Sequence, residues 1–478
     1  MKLIFDVSDK PKAGQLVVFA LQQMLAILAA TIAVPLIIGN GLTPAAAMFG
    51  AGVGTIVYIL FTKRKSPVFL GSSFAFLGSM AAAFAGGVSM QLGMLGLIIG
   101  ALLAGLVYVV IAIVVKFVGV GWLNKLMPAV VIGPTVAIIG LSLAGNAIGD
   151  LIKGDVTKQV TEYVVSTDSG TPEIIETVSN VPVGSSYVAL ICGLITLAVV
   201  MLCSAYGKKT LRLIPFIIGI LAGYAAAAIF TVIGNMCDID ALKIVDLSVF
   251  SNYMLTDGSI SLKTFVSLPD FAFVSGLKGL KEFDFSYFAT IFVAYVPVAL
   301  VVFAEHVADH KNLSSIIDHD LLEEPGLTRT LLGDGVGSIA GALFGGCPNT
   351  TYGESVACVA ITGNASVITI FAAAIGCMLF SFITPLVAFV DSIPACVMGG
   401  VCIALYGFIA VSGLKMIQDV NLDDNRNLFV VSVILIAGIG GLTLTFGDIT
   451  LTEVAAALIL GILTNVMLSK KKGNADKK

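Results

Sequence analysis

The chain has 478 residues, of which 58% are hydrophobic and 12% charged, with a net charge of −4. Soluble domains carry about 25% charged and roughly 45–50% apolar residues, so no soluble fold of this length hides so much apolar surface. At about 20 apolar residues per crossing helix, the composition suits one integral membrane domain and little else.

The opening residues, Met1-Lys2-Leu3-Ile4-Phe5-Asp6, lack a signal-peptide pattern, so the first apolar run, at 15–37, is expected to be a retained span. Further runs follow at 45–62, 67–86, 92–116, 128–148, 186–203, 214–235, 287–307, 330–345, 352–362, 366–390, 394–411, 428–446 and 450–468, which predicts fourteen membrane segments. Two of them read poorly as plain helices. Leu70-Gly71-Ser72-Ser73-Phe74-Ala75-Phe76 interrupts the third, and Gly345-Gly346-Cys347-Pro348-Asn349-Thr350-Thr351-Tyr352-Gly353-Glu354-Ser355 interrupts the tenth. The long connections 149–185 and 236–286 are acidic and rich in Ser, Thr and Val, and read as solvated loops with room for a short hairpin. The eight cysteines include no CxxC pair and read as small core residues.

Basic residues set the orientation, because Lys and Arg accumulate in cytoplasmic connections. With the N-terminus inside, 20 of the 26 Lys and Arg fall in inside segments, and only Lys153, Lys158, Lys243, Lys263, Lys278 and Lys281 fall outside. Both termini are therefore expected in the cytoplasm.

Met127-Pro128-Ala129-Val130-Val131-Ile132-Gly133 opens the fifth segment and is similar to Ile393-Pro394-Ala395-Cys396-Val397-Met398-Gly399, which opens the twelfth. The two interrupted segments are also seven apart. Seven is odd, so the halves are expected to lie in opposite orientations, the inverted-repeat plan of secondary transporters. Backbone freed at a break survives in lipid only where it is buried or lines a cavity, and there it can bind a polar solute.

Two carboxylates stand out within the spans, Glu305 near the end of the eighth and Glu354 just after the second break. A charged side chain at such a place costs about 2.5–3.5 kcal/mol on insertion scales and usually faces a cavity. Neither span contains a basic partner. In Glu305-His306-Val307-Ala308-Asp309-His310, Glu305 and Asp309 share one helix face, while His306 and His310 share a neighbouring one. The His306-x-x-Asp309-His310 spacing admits a metalloenzyme as a remote alternative, and a channel is a third reading. Acidic groups without basic partners do not suit an anion. They suit a cation or a neutral solute with N–H donors, and Phe74, Phe76 and Tyr352 suit a flat ring.

The run Asn349-Thr350-Thr351-Tyr352-Gly353-Glu354, continuing to Ala360-Ile361-Thr362, resembles the signature of the uracil-permease branch of the nucleobase–ascorbate transporter family. Gly71-Ser72-Ser73-Phe74-Ala75-Phe76, Ala304-Glu305-His306-Val307 and Leu405-Tyr406-Gly407 match the same branch, and the likeness extends from Leu16 to about Leu468. The chain has Gln22-Gln23 where the family often has Gln-His and Ser355 where it usually has Asn, and at the place of a His in the proton-coupled uracil permease it has Asp309, as in many purine members, followed by His310.

The resemblance implies an all-α membrane fold of fourteen segments in two inverted repeats of seven. Its boundaries would be a cytoplasmic N-terminus at 1–14, core domain at 15–127 and 287–393, gate domain at 128–286 and 394–468, and a basic tail at 469–478. It implies a transporter rather than an enzyme, in a bacterial cytoplasmic membrane, working by alternating access as a homodimer among lipids. No cofactor, metal or nucleic acid is expected. Uracil or a related nucleobase would be held by Glu305 and Glu354, by the main chain at Phe74 and Gly353, and by Ser72, Tyr352 and Tyr406. Xanthine or another purine remains the alternative substrate. Coupling is expected through a proton at Glu305, Asp309 and His310, since two carboxylates one turn apart cannot cheaply ionise together. Sodium is the alternative ion.

Overall fold

The computed structural model describes residues 3–119, 127–166, 173–254, 259–446 and 449–469. Met1, Lys2, Lys125 and the basic tail from Lys470 lie outside the described residues. Helices dominate, as they must where lipid offers backbone groups no partner. Among the described residues, eight helices are long and apolar enough to cross a membrane, and five shorter apolar ones of 10–17 residues accompany them.

The chain forms two compact units. The first comprises Met1–Leu143, Phe265–Val387 and Leu405–Lys478, and the second comprises Ala144–Thr264 and Ala388–Ala404. The first unit begins with α1 (Ala13–Ile38) and α2 (Pro44–Phe61), then β1 (Leu70–Ser72), α3 (Leu77–Ala83), α4 (Met90–Val118) and α5 (Ala129–Ser142). The second unit holds α6 (Ala144–Leu151), a hairpin of β2 (Thr157–Ser166) and β3 (Glu173–Pro182), α7 (Ser186–Tyr206) and α8 (Pro215–Cys237). Back in the first unit come α9 (Phe285–Ile317), α10 (Leu327–Gly345), β4 (Asn349–Thr351), α11 (Gly353–Thr362) and α12 (Val367–Phe380). Then follow α13 (Thr384–Asp391), α14 (Ala395–Met416), which runs from the second unit into the first, α15 (Asn425–Ile439), β5 (Leu444–Phe446), β6 (Ile449–Leu451) and α16 (Glu453–Ser469).

Small residues let backbones meet. A Cβ on Gly50 of α2 would lie 2.4 Å from the Gly341 carbonyl of α10, so these helices touch main chain to main chain, as small residues permit in membranes.

The run at 128–148 divides at Leu143 into α5 and α6, and the run at 366–390 divides into α12 and α13. Pro385 is the second residue of α13, a first-turn position where its missing N–H leaves no bond unmade. The connection at 149–185 contains the β2–β3 hairpin, with Thr157 opposite Pro182. The connection at 236–286 carries short helical turns and is not simply solvated: Ile244 and Val245 are buried, and both donate N–H to Thr231 Oγ1 at 3.0 Å.

Asp155, between α6 and β2, caps the start of α14. Its Oδ1 accepts the Ala395 N–H at 3.1 Å, and the Lys153 carbonyl accepts that of Cys396 at 3.0 Å. Burial pushes the Asp155 carboxyl up to about 6, against the pull of the Ala395 N–H, and the negative charges of Asp150 and Asp246 push the same way. A carboxyl raised on folding costs stability when ionised, so its penalty is present above about pH 6 and disappears by about pH 4. Asp155→Asn keeps the acceptor and removes the charge. Thermal unfolding in detergent should show the variant more stable at pH 8, by up to ~3 kcal/mol, with the gain gone at pH 4. A difference that does not change with pH would contradict the buried-carboxylate account.

Candidate functional site

The two interruptions expected from the sequence meet inside the first unit. β1 and β4 pair antiparallel, with Leu70 opposite Thr351, Gly71 opposite Thr350 and Ser72 opposite Asn349. The Tyr352 N–H donates to the Phe69 carbonyl at 3.3 Å and the Ser73 N–H to the Pro348 carbonyl at 2.9 Å, extending the pairing at both ends. Thr55 on α2 completes Leu70, accepting its N–H at 2.9 Å and donating to its carbonyl at 3.2 Å. Each three-residue strand then runs into a helix start. After β1 come a short 3₁₀ turn at Phe74–Phe76 and α3; after β4 comes α11. Unpaired N–H groups at a helix start favour negative charge, and Glu354 sits in the first turn of α11.

The predicted carboxylates come from two neighbouring elements. Glu305 and Asp309 project one turn apart from α9, and Glu354 stands in the first turn of α11, one residue after Gly353, which adjoins Asp309. Thr351 donates to Asp309 Oδ2 at 2.8 Å. Gly353 is exposed, and a Cβ there would come only within 3.9 Å of Asp309 Oδ1. Glu305, Asp309 and Glu354 are each half-buried.

The other predicted residues pack around the breaks. Phe74 meets Tyr406 of α14 edge to face, with ring centroids 5.9 Å apart. Tyr352 lays its ring over Gly71 and donates its hydroxyl to the Ser72 carbonyl at 2.7 Å, so this tyrosine braces the crossing strands.

The histidines lie behind the cleft, both fully buried. His310 Nδ1 donates to the His306 carbonyl at 2.7 Å, which leaves Nε2 to accept the Tyr58 hydroxyl at 2.6 Å. Tyr58 in turn lies 2.7 Å from Ser66 Oγ. A neutral imidazole in that tautomer satisfies every bond. His306 Nδ1 donates to Asp334 Oδ2 at 2.7 Å, and its Nε2 lies 3.0 Å from Thr330 Oγ1. The His306-x-x-Asp309-His310 spacing therefore sends its side chains to separate partners.

Asp334 escaped the sequence reading. It lies fully buried on α10, with Oδ1 lacking a hydrogen-bond partner among the described residues. The signal was available: Leu331-Leu332-Gly333-Asp334-Gly335 places an acid in an apolar run without a basic partner, the criterion that singled out Glu305. The departures Gln23 and Ser355 also meet. Ser355 Oγ accepts Gln23 Nε2 at 2.5 Å and the Phe69 N–H at 3.1 Å, tying α1, the first break and α11 together.

A bundle of apolar helices, with two breaks paired beside three half-buried carboxylates, is the architecture of a multi-pass membrane transporter. Residues 14–176 and 171–446 match the sequence profile of a family described as the permease family. The chain is 36% identical to a uracil permease of Bacillus caldolyticus over 99% of this chain and 97% of that protein. It is 34% identical to one of Bacillus subtilis, over 98% and 96%, and 33% identical to one of Escherichia coli, over 95% and 92%. The chain belongs to this permease family, the nucleobase–ascorbate transporters, and is not an enzyme. Among solved structures, the transmembrane domain of the cyanobacterial bicarbonate transporter BicA matches with a TM-score of 0.56 at 13% identity, over 96% of this chain and all of that one. SLC26A9 matches at 0.60 and 12%, over 97% of this chain and 67% of that one. At such identities the likeness is one of fold alone.

The Tyr352–Gly71 contact gives a test. A Cβ at residue 71 would lie 2.3 Å from the Tyr352 ring. Gly71→Ala must displace that ring and its bond to Ser72, at a cost of about 1–3 kcal/mol for overpacking. The thermal midpoint in detergent should fall accordingly; an unchanged midpoint would show that the ring does not rest on Gly71.

Proposed function

We propose that the protein imports uracil, or a closely related nucleobase, together with a proton. The observation that carries this reading is the half-exposed trio Glu305, Asp309 and Glu354 beside the paired breaks, with no basic side chain among the residues that build it. Uracil is flat and neutral with two ring N–H donors and two carbonyls. Glu305 and Glu354 accept the N–H groups, as charge-assisted bonds to carboxylates favour. Main-chain N–H groups at Phe74 and Gly353, where each break runs into its helix, meet the carbonyls. Ser72 and Tyr352 shape the floor, and Phe74 with Tyr406 closes one wall. The names of the relatives, uracil permeases from three bacteria, support the same substrate; xanthine or another purine remains the second reading.

In this account the chain crosses a bacterial cytoplasmic membrane fourteen times as two inverted repeats of seven, with both termini inside. Residues 15–127 and 287–393 form a core and 128–286 and 394–468 a gate. The core moves against the gate so that the site opens alternately to either side, and two copies associate as a homodimer. Helices inside each of the apolar runs support the count of segments, and breaks in matching positions support the inverted repeat.

The proton travels on Glu305 with Asp309. Two carboxylates one turn apart cannot both be charged cheaply, so the pair shares one proton, and one proton carried with neutral uracil makes transport electrogenic. His310 belongs to the same coupling group through its place on α9. Sodium, held by the same carboxylates with main-chain carbonyls of the breaks, is the alternative ion.

Two experiments test these roles. Glu354→Gln turns an acceptor oxygen into a donor facing a ring N–H, and a mispaired buried polar group costs about 1–3 kcal/mol. Uracil binding by calorimetry should weaken about tenfold or more in a variant that still purifies as a folded protein, and unchanged affinity would remove Glu354 from the site. Asp309→Asn should abolish accumulation of labelled uracil in proteoliposomes after a pH jump without sodium, while exchange at equal pH survives. Accumulation by the unaltered protein that needs sodium and ignores the pH gradient would sink the proton assignment.

A further inference from the structure

The residues before α1 form a short extended segment. Leu3, Phe5 and Val7 turn inward and half-bury, while Ile4, Asp6 and Ser8 stay exposed, the alternation of a strand with one covered face. Phe5 pairs in parallel with Asn364, in the turn that follows α11. The Gly363 carbonyl accepts the Ile4 N–H at 2.7 Å and that of Phe5 at 3.2 Å; the Phe5 carbonyl accepts Ala365 N–H at 2.9 Å. The Val7 carbonyl accepts Val367 N–H at 3.2 Å, and Ser366 Oγ donates to the Asp9 carbonyl at 2.6 Å. Gly363 is the left-handed cap of α11, at φ 68°, with its N–H bonded to the Val359 carbonyl.

The apolar side of the segment is equally committed. Leu3 and Val7 pack on a buried cluster formed by Val356 and Val359 of α11, Leu313 and Ile317 of α9, and Tyr58 and Leu70 among others. That cluster joins the helix carrying Glu354 to the helix carrying Glu305 and Asp309. A ten-residue helix is marginal by itself, and α11 begins at a break with no side-chain cap. Its far end is therefore where it can be held.

We propose that Leu3–Asp9 is a strap that positions α11, and through it sets Glu354 against the carboxylates of α9. The strap touches no substrate; it acts through the helix. Its role as an aid to uracil binding rests on the function proposed above, whereas its hold on α11 does not.

Deletion of Leu3–Asp9 tests both parts. Hydrogen–deuterium exchange of the ligand-free protein should speed up about tenfold or more across 353–362, with α7 and α8 unchanged, because local opening follows loss of local contacts. Uracil binding should weaken about tenfold in the same variant, and the deletion should cost little more in a Glu354→Gln background, since residues acting as a unit are non-additive. Unchanged exchange in α11 overturns the strap, as do additive losses in binding. Should the deletion fail to fold, Ile4→Pro with Ser366→Ala removes two of the five bonds and should move the same exchange in the same direction. If α11 loosens but the intact protein binds no uracil, the strap stands and the substrate reading falls.

Discussion

The fold turns on one constraint: in lipid each backbone N–H and C=O must find a partner within the protein. Two interrupted helices release several such groups at once, and the three-residue pairing of β1 with β4 recovers them. A two-stranded pairing this short is not stable alone. Thr55, Ser355, Ser338 and Asn349 supply the bonds that flank it. Once the strands cross, their following helices are fixed in direction, and Phe74 and Glu354 arrive at the site with them.

Around that crossing, ionisable groups are sorted by burial. Glu305, Asp309 and Glu354 remain half-exposed. His306, His310 and Asp334 are sealed and bonded among themselves and to Tyr58 and Thr330. A buried polar group without a partner is costly, and the second histidine meets that demand with both nitrogens. The buried group ties α9 to α2 and α10.

Much of this was legible in the sequence, because lipid imposes simple rules. Apolar runs marked the helices, and glycine, proline and polar residues marked the breaks at Leu70–Phe76 and Gly345–Ser355. Unpartnered acids marked Glu305 and Glu354. What escaped depends on partners distant in the chain. The division at Leu143 leaves no proline or charge to announce it. Asp334 was hidden by an otherwise apolar run, though the rule that found Glu305 covers it. The hold of Leu3–Asp9 on the turn after α11 involves residues more than 350 positions apart, and its only local sign is an alternation of three apolar residues, too short to separate from chance.

Asn349 shows how so small a crossing keeps its frame. Its side chain donates to the Gly50 carbonyl at 3.1 Å and occupies the space that Cβ atoms on Gly54 and Gly341 would fill. A slip of one residue in β4 would turn Thr351 away from Asp309, since neighbouring side chains on a strand face opposite sides. The side chain is thus a peg in a hole made of bare backbone, and it indexes the strand. Substitution of Thr351 removes its bond to Asp309 and leaves that peg in place. Any side chain grown on those glycines fills the hole, and every group downstream of the peg then loses its address.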